Sequence, residues 1–258
     1  MAKLKILGSG SSGNGYVIEC EDESLVLELG VPYNRYLLNT DIPKVAACLV
    51  SHVHQDHYKP TVAKRFGKMG IPIYSNEEVA ENSGISAKKF DTVKALPKAK
   101  AYQIGTGFIV QPFSLPHSAK NYGWLIRHNE FGKLLFATDS SAFPYRFKGV
   151  NHWMIEANYD ADIIIDGKLS GNATRSNYSD HLSWQNCRDA MLESWDGSAE
   201  TVTLIHLSDD NSDAEAFKER IKDAIGFPNV SVAIGGETAQ TVELTHIPSQ
   251  TPFINQNQ

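Results

Sequence analysis

The sequence predicts an α/β fold, with two mixed sheets sandwiched between helices, on three observations. Apolar runs of strand length dominate the first half, and in the second half strands alternate with amphipathic helical stretches. No Gly/Ser- or Pro-rich linker and no tandem repeat divides the 258 residues. Residues 1–246 are therefore expected to form one domain, and the Asn-, Gln- and Pro-rich residues 247–258 a flexible tail. The third observation is chemical. His52-Val53-His54-Gln55-Asp56-His57 follows directly on the apolar run 45–51, so three imidazoles and a carboxylate stand at the mouth of a buried strand.

The elements follow in order. Residues 3–8 and 16–20 read as strands joined by Gly8-Ser9-Gly10-Ser11-Ser12-Gly13-Asn14-Gly15. Its glycines permit positive φ and close backbone approach. The loop reads either as a plain hairpin connection or as amides and hydroxyls at the rim of a site, a phosphate nest. It is not a P-loop, because no Lys-Ser/Thr pair closes it, nor a dinucleotide fingerprint, because a strand follows. Residues 25–30 form a third strand whose Glu28, in apolar company, must be paired or hydrogen-bonded. A short helix over 33–39 precedes the strand 45–51. Pro60 then opens a helix to about residue 69, Gly70 stops it, and a strand spans 71–74. The Lys-rich stretch 76–100 reads as two weak helices, with Lys88, Lys89, Lys94, Lys98 and Lys100 on a solvated face. Strands at 108–114, 122–128 and 133–138 come next, the last two turning at Gly132. Apolar runs 154–156 and 162–166 bracket a polar segment. A helix over 183–195 directs Trp184, Cys187, Met191 and Leu192 to the core. A strand at 201–207 leads to a helix over 213–225, capped from Asn211-Ser212-Asp213 and stopped by Gly226 and Pro228. Strands at 230–234 and 241–244 complete the series.

Composition narrows the class. A hydrophobic content of 41% with 21% charged residues is that of a soluble globular protein, and no apolar run reaches the ~20 residues of a membrane span. The N-terminus goes straight into a strand pattern without a signal-peptide core, so a cytoplasmic protein with no membrane association is expected. Cys20, Cys48 and Cys187 are scattered, odd in number and form no C-x-x-C pair, and are expected to be free thiols and not disulfides or metal ligands. A net charge of −6 and a pI near 5.8 count against a non-specific duplex-coating protein. They leave room for a nucleic-acid enzyme, because bound cations supply positive charge where a phosphate sits.

Imidazole and carboxylate are ligands for borderline divalent metals such as zinc or manganese. In an extended loop His52, His54 and Asp56 share a face, and His57 turns towards an adjacent position, an arrangement that suits two metals better than one. Two metals need more ligands, and three residues stand at the ends of apolar strands: His117, Asp139 and His206. His128, His152 and His246 lie in polar or loop contexts and are expected at the surface. His181 opens the helix over 183–195, where with neighbouring Arg175 it can meet an anion.

H-x-H-x-D-H after a buried strand, followed by a distant His, an Asp after a strand and a late His, resembles the metallo-β-lactamase superfamily over nearly the whole chain. Shorter motifs are similar to its WalJ/YycJ-like branch of single-domain nucleases, related to ribonuclease Z and ribonuclease J. They are Gly8-Ser9-Gly10-Ser11-Ser12-Gly13-Asn14, Glu156-Ala157-Asn158-Tyr159-Asp160, Arg175 ahead of His181-Leu182-Ser183, and His206-Leu207-Ser208 with Asn211. The resemblance implies the four-layer αββα fold, with one metal on His52, His54 and His117, a second on Asp56, His57 and His206, and Asp139 bridging. It further implies Asp56 and His181 as catalytic residues and Ser12, Asn14, Asn158 and Arg175 as substrate contacts. The chain departs from the pattern in three places. Glu28 replaces the usual Asp, Gly15 replaces a Cys, and Tyr159 stands where His is more common.

The activity so implied is hydrolysis of a phosphodiester in single-stranded or short DNA or RNA, by a hydroxide bridging two divalent ions, zinc or manganese. The same ligands equally serve a thioesterase or lactonase on a small acyl substrate, because they do not encode the electrophile. Redox di-iron chemistry is disfavoured by Gln55, which stands where such relatives carry a Glu ligand. The complete ligand set argues against a catalytically dead scaffold.

Overall fold

The computed structural model describes residues 1–82, 93–163 and 178–246. Its strands are β1 (Ala2–Gly8), β2 (Gly15–Glu19), β3 (Ser24–Leu27), β4 (Val45–Leu49), β5 (Ile73–Ser75), β6 (Val93–Ala95), β7 (Tyr102–Ile104), β8 (Phe108–Leu115), β9 (Asn121–His128), β10 (Gly132–Ala137), β11 (His152–Glu156), β12 (Thr201–Ile205), β13 (Val230–Val232) and β14 (Gln240–Leu244). They form two seven-stranded mixed sheets, ordered β14-β1-β2-β3-β4-β5-β6 and β13-β12-β11-β10-β9-β8-β7. Each sheet is antiparallel on one side and parallel on the other. β3 to β6 run parallel in the first, and β10 to β13 in the second.

Period-two alternation places the core. Leu4, Ile6, Tyr16, Ile18, Leu25 and Leu27 point inward to meet Trp124, Leu134, Phe136 and Met154 of the opposite sheet. Their neighbours Leu7, Val17 and Val26 point outward, where Tyr36, Val62 and Phe66 cover them from helices α1 (Tyr33–Asn39) and α2 (Pro60–Lys68). On the other side Leu135 and Ala137 pack against α4 (Trp184–Ser194) and α5 (Ala214–Ile225), through Cys187, Met191, Phe217 and Ile221. Because both faces of each sheet are buried, the central strands read as nearly continuous apolar runs. The layers are α, β, β, α.

Local signals set most boundaries. Pro60 occupies the first turn of α2, the Ser183 hydroxyl accepts the Asn186 amide at the start of α4, and Asp213 caps α5 by accepting from Ala216. Gly226 ends α5 in the left-handed region, at φ 63°.

Three expectations change. Among its described residues, the stretch 76–100 holds one short helix, α3 (Glu77–Glu81), and a strand, β6, which extends the first sheet beside β5; residues 83–92 lie outside the description. β7, for which the sequence gives no expectation, has only three residues, too few for alternation to show. Leu192 is 45% exposed, because Trp184, Cys187 and Met191 already define the buried stripe and the next residue sits a quarter-turn beyond it. His152 is buried on β11, its Nδ1 2.8 Å from Thr201 Oγ1, so the histidine expected at the surface is a core residue. Residues 164–166 of the second apolar run and the tail 247–258 lie outside the described residues.

Candidate metal centre

The parallel strands β3, β4, β10, β11 and β12, together with β8, all end at one edge of the sandwich. The residues just past those ends converge there. Glu28 follows β3, His52 to His57 follow β4, His117 follows β8 and Asp139 follows β10. Glu156 is the last residue of β11, and His206 follows β12.

The histidine cluster is turned and not extended. The His57 and Tyr58 amides both donate to the His54 carbonyl, at 3.0 and 2.7 Å. That turn swings Asp56 away from the face of His52 and His54, where alternation had placed it, and sets it beside His57. Two donor groups result. In one, His52 Nε2 and His117 Nε2 stand 3.1 and 3.2 Å from His54 Nδ1. In the other, Asp56 Oδ2 stands 3.1 Å from His57 Nε2 and 3.3 Å from His206 Nε2. Asp139 lies between them. Its Oδ2 is 3.8 Å from His52 Nε2, and its Oδ1 is 3.2 Å from His57 Nε2 and 3.4 Å from His206 Nε2. Two imidazole nitrogens at 2.0–2.1 Å from one tetrahedral ion are about 3.3 Å apart. The donor atoms are thus already spaced as ligands, and the set fits divalent cations.

Four of the five imidazoles face a neighbour with their other nitrogen. Ser51 Oγ lies 2.8 Å from His52 Nδ1, and the Asp180 carbonyl 3.1 Å from His117 Nδ1. Glu28 Oε2 faces His57 Nδ1 at 3.4 Å, while its Oε1 accepts the Ser51 amide at 3.1 Å. The longer side chain stands at ion-pair distance from the ring, and His57 Nδ1 is buried without a hydrogen-bond partner. Glu156 faces His206 Nδ1 at 3.5 Å and lies 2.6 Å from His181 Nδ1.

Burial and mutual charge oppose each other at these side chains. Burial opposes ionisation of Asp139, yet His206 and His57 hold its carboxyl well below the usual range. His57 is pushed well above the ordinary imidazole value, because Asp139, Asp56 and Glu28 outweigh its burial. His52, deeper and ringed by other imidazoles, is pushed down by burial first and then by His57.

The backbone is strained here. Glu28, Asp139 and His206 take φ of 63°, 50° and 55°, and Ala99 is the one other non-glycine in this region among the described residues. Such a conformation costs of order 1–3 kcal/mol and persists only where surroundings over-determine it. Asn121 Nδ2 donates to the Thr138 and Asp139 carbonyls at 2.8 and 2.6 Å, and Ser9 Oγ accepts the His206 amide at 2.9 Å.

Of the residues expected to touch substrate, Ser12 is exposed on the β1–β2 loop. Asn14 is fully buried beneath that loop. It accepts the Gly10 amide, donates to the Gly10 carbonyl, and brings Nδ2 to 3.0 Å from His57 Nε2. Its backbone amide donates to the Asp56 carbonyl at 2.7 Å, and its carbonyl accepts from Gly30. A Cβ on Gly30 would overlap that same Asp56 carbonyl. The glycine loop is thus tied inward as a brace for the Asp56 turn. Asn158 is also buried, with Nδ2 donating to the His206 carbonyl at 2.7 Å. Arg175 lies outside the described residues. The sequence reading missed Glu156, Asn121 and Ser9 as supports. Glu156 bore a usable signal, a carboxylate closing an apolar run like that before Asp139, whereas Asn121 and Ser9 bore none.

Comparison with known proteins agrees with this geometry. A family model described as the beta-lactamase superfamily domain matches residues 28–207, more than half of the chain. The curated exodeoxyribonuclease WalJ of Streptococcus pneumoniae serotype 2 is 25% identical over 224 residues, covering 81% of this chain and 83% of its own. Exodeoxyribonuclease YycJ of Bacillus anthracis is 25% identical over 231 residues, with the same coverage. Among solved structures, the metallo-beta-lactamase fold protein YhfI from Bacillus subtilis superposes with a TM-score of 0.71 at 17% identity, over 94% of this chain and all of that one. With the family model spanning β4 to β12, the αββα layering and a donor set spaced for divalent cations, this chain belongs to the beta-lactamase superfamily as one of its metal-dependent hydrolases.

Proposed function

We propose that the protein is a dinuclear metal-dependent phosphodiesterase acting on single-stranded or short nucleic acid. His52, His54 and His117 would hold one ion, Asp56, His57 and His206 the other, and Asp139 both. The observation that carries the dinuclear reading is the split of Asp139, one oxygen towards each donor group. Nitrogen and oxygen donors without sulfur suit zinc or manganese. When bound, the cations lower the pKa of water and offset charge on the phosphate. Asp56, 23% exposed and turned to the centre, orients the nucleophile and accepts its proton. His181 uses Nδ1 on Glu156, which leaves Nε2 to protonate the leaving oxygen; its ring stacks on that of His206, with centroids 5.3 Å apart. Ser12 and, from the sequence, Arg175 are the proposed contacts to the rest of the strand, with Asn14 and Asn158 supporting the loops that carry them. The phosphodiester is favoured over an acyl bond by the activities that the names of the two curated relatives carry.

Metal analysis combined with digestion of end-labelled single- and double-stranded DNA and RNA tests this reading, with His54→Ala as the control for contaminants. About two equivalents of metal and cleavage lost in His54→Ala are expected. Bis-p-nitrophenyl phosphate, an acyl-thioester and an acyl-lactone run in parallel separate the bond types. Turnover of the acyl substrates alone would replace the nuclease by a thioesterase or lactonase.

A further inference from the structure

A second cluster of ligating side chains lies far from the His/Asp centre. β9 begins at Asn121, which holds the Asp139 backbone, and ends at His128, about 23 Å away along an extended strand. There the end of β2 in the first sheet meets the β9–β10 turn of the second, and Cys20 Sγ lies 3.4 Å from His128 Nδ1 across 108 residues of chain. Cys20, His128 and Glu130 each offer a donor atom within 4.8 Å of the others. Cys20 is a free, buried thiol as its sequence context implies, whereas His128, expected at the surface, has a side chain only 11% exposed.

We propose that Cys20, His128 and Glu130 bind one zinc-like divalent cation, tying the two sheets together at this end. A tetrahedral zinc with a thiolate at 2.3 Å and an imidazole at 2.0–2.1 Å sets sulfur and nitrogen about 3.6 Å apart, close to the spacing present. The imidazole is held in the required tautomer. The Glu130 amide donates to Nδ1 at 3.2 Å, so that nitrogen carries a lone pair, and Nε2 faces Glu23 Oε1 at 3.6 Å. Glu23 is itself fixed by the Thr106 and Gly107 amides, at 2.8 and 2.5 Å. This is a carboxylate behind a ligating histidine, the arrangement that orients metal-bound imidazoles. The ring also packs against Phe108 and Phe131, with centroids 4.8 and 5.7 Å away. Glu130 Oε1 accepts the Glu21 amide at 3.0 Å, while its Oε2 is buried without a hydrogen-bond partner, 3.7 Å from the Met1 amino group. On binding, the cation replaces the thiol proton and takes the Nδ1 lone pair from the Glu130 amide.

Sulfur distinguishes this site from the His/Asp centre, whose donors are nitrogen and oxygen alone. The full-length protein, freed of metal, is titrated with Co²⁺ beyond three equivalents and followed by near-ultraviolet thiolate-to-cobalt charge-transfer absorption, which the sulfur-free His/Asp centre does not give. The band should saturate, vanish in Cys20→Ser and in His128→Gln, and need about 10–100-fold more Co²⁺ in Glu23→Gln. Phosphodiester hydrolysis should be unchanged in all three variants. No band in the wild type, or an equal band in Cys20→Ser, would overturn the proposal. Where Cys20→Ser does not fold, an undiminished band in His128→Gln overturns it equally. The readout is independent of what the catalytic centre hydrolyses.

Discussion

Glu156 Oε1 lies 2.6 Å from His181 Nδ1, while its Oε2 accepts the Ser140 and Leu182 amides at 2.8 and 3.1 Å. One buried carboxylate thus fixes the imidazole and the two loops on either side of it. Burial pulls the His181 pKa down, but the Glu156 contact wins and raises it, which keeps a proton available for a leaving group. His181→Ala should lower kcat about 10²–10⁴-fold, the range for a lost general acid, with metal content intact. Glu156→Gln should lower kcat with little change in KM. A KM effect in place of a kcat effect, read from steady-state kinetics on bis-p-nitrophenyl phosphate, would make the pair a binding element and not a proton donor.

Asp139 faces both donor groups, so its loss should affect both ions. Asp139→Ala is expected to reduce bound metal below one equivalent and to abolish hydrolysis, as measured by elemental analysis of gel-filtered protein. Chelation of the wild type should lower its Tm. Free metal at about 100 times Kd stabilises the folded state by about 2.7 kcal/mol per site, and that term disappears with the ion.

Gly30 has no room for a side chain, because a Cβ would overlap the Asp56 carbonyl. Gly30→Ala is expected to destabilise the fold by about 1–3 kcal/mol as an overpacking change. It should also weaken metal binding, because the displaced backbone carries Asp56 and His57. Urea unfolding with and without chelator separates the two effects, and a loss of stability with unaltered metal affinity would contradict the bracing role.

His152 gives a stability dependence on pH. Burial pushes its pKa down to about 4 from 6.5, so the folded state holds the ring neutral where the unfolded chain would protonate it. The contribution is therefore complete above pH 6.5 and is lost as pH falls from 6.5 towards 4. It amounts to about 3 kcal/mol by linkage. Urea midpoints between pH 4 and 7 should fall with acid more steeply in wild type than in His152→Gln, and equal slopes would refute the assignment.

With a net charge of −6, the chain should make few contacts to backbone phosphates beyond the metal centre. Cleavage of a short single strand should vary little between 50 and 200 mM salt, whereas each phosphate neutralised by the protein steepens the slope of log affinity against log salt by about 0.7. A loss of about 10³-fold over that interval would point to an extended basic track.

The sequence by itself determined the donor chemistry of the candidate metal centre and the strand ends that carry it. Imidazole and carboxylate are specified by residue type, and the apolar runs before His52, His117, Asp139 and His206 record burial that is local to each segment. For the same reason alternation in β1, β2 and β10 disclosed which residues face the shared core. Only the tertiary structure decided how those donors divide. The turn at residues 54–58 moved Asp56 to the side of His57, and left-handed backbone at Asp139 sent its two oxygens towards different groups. Whether Asn14 would reach outward or brace the centre, whether His152 would be buried, and whether Cys20 would meet His128 depended on which strands became neighbours. Periodicity reports how one segment is buried, whereas these outcomes follow from strand order within each sheet and from the packing of two sheets face to face.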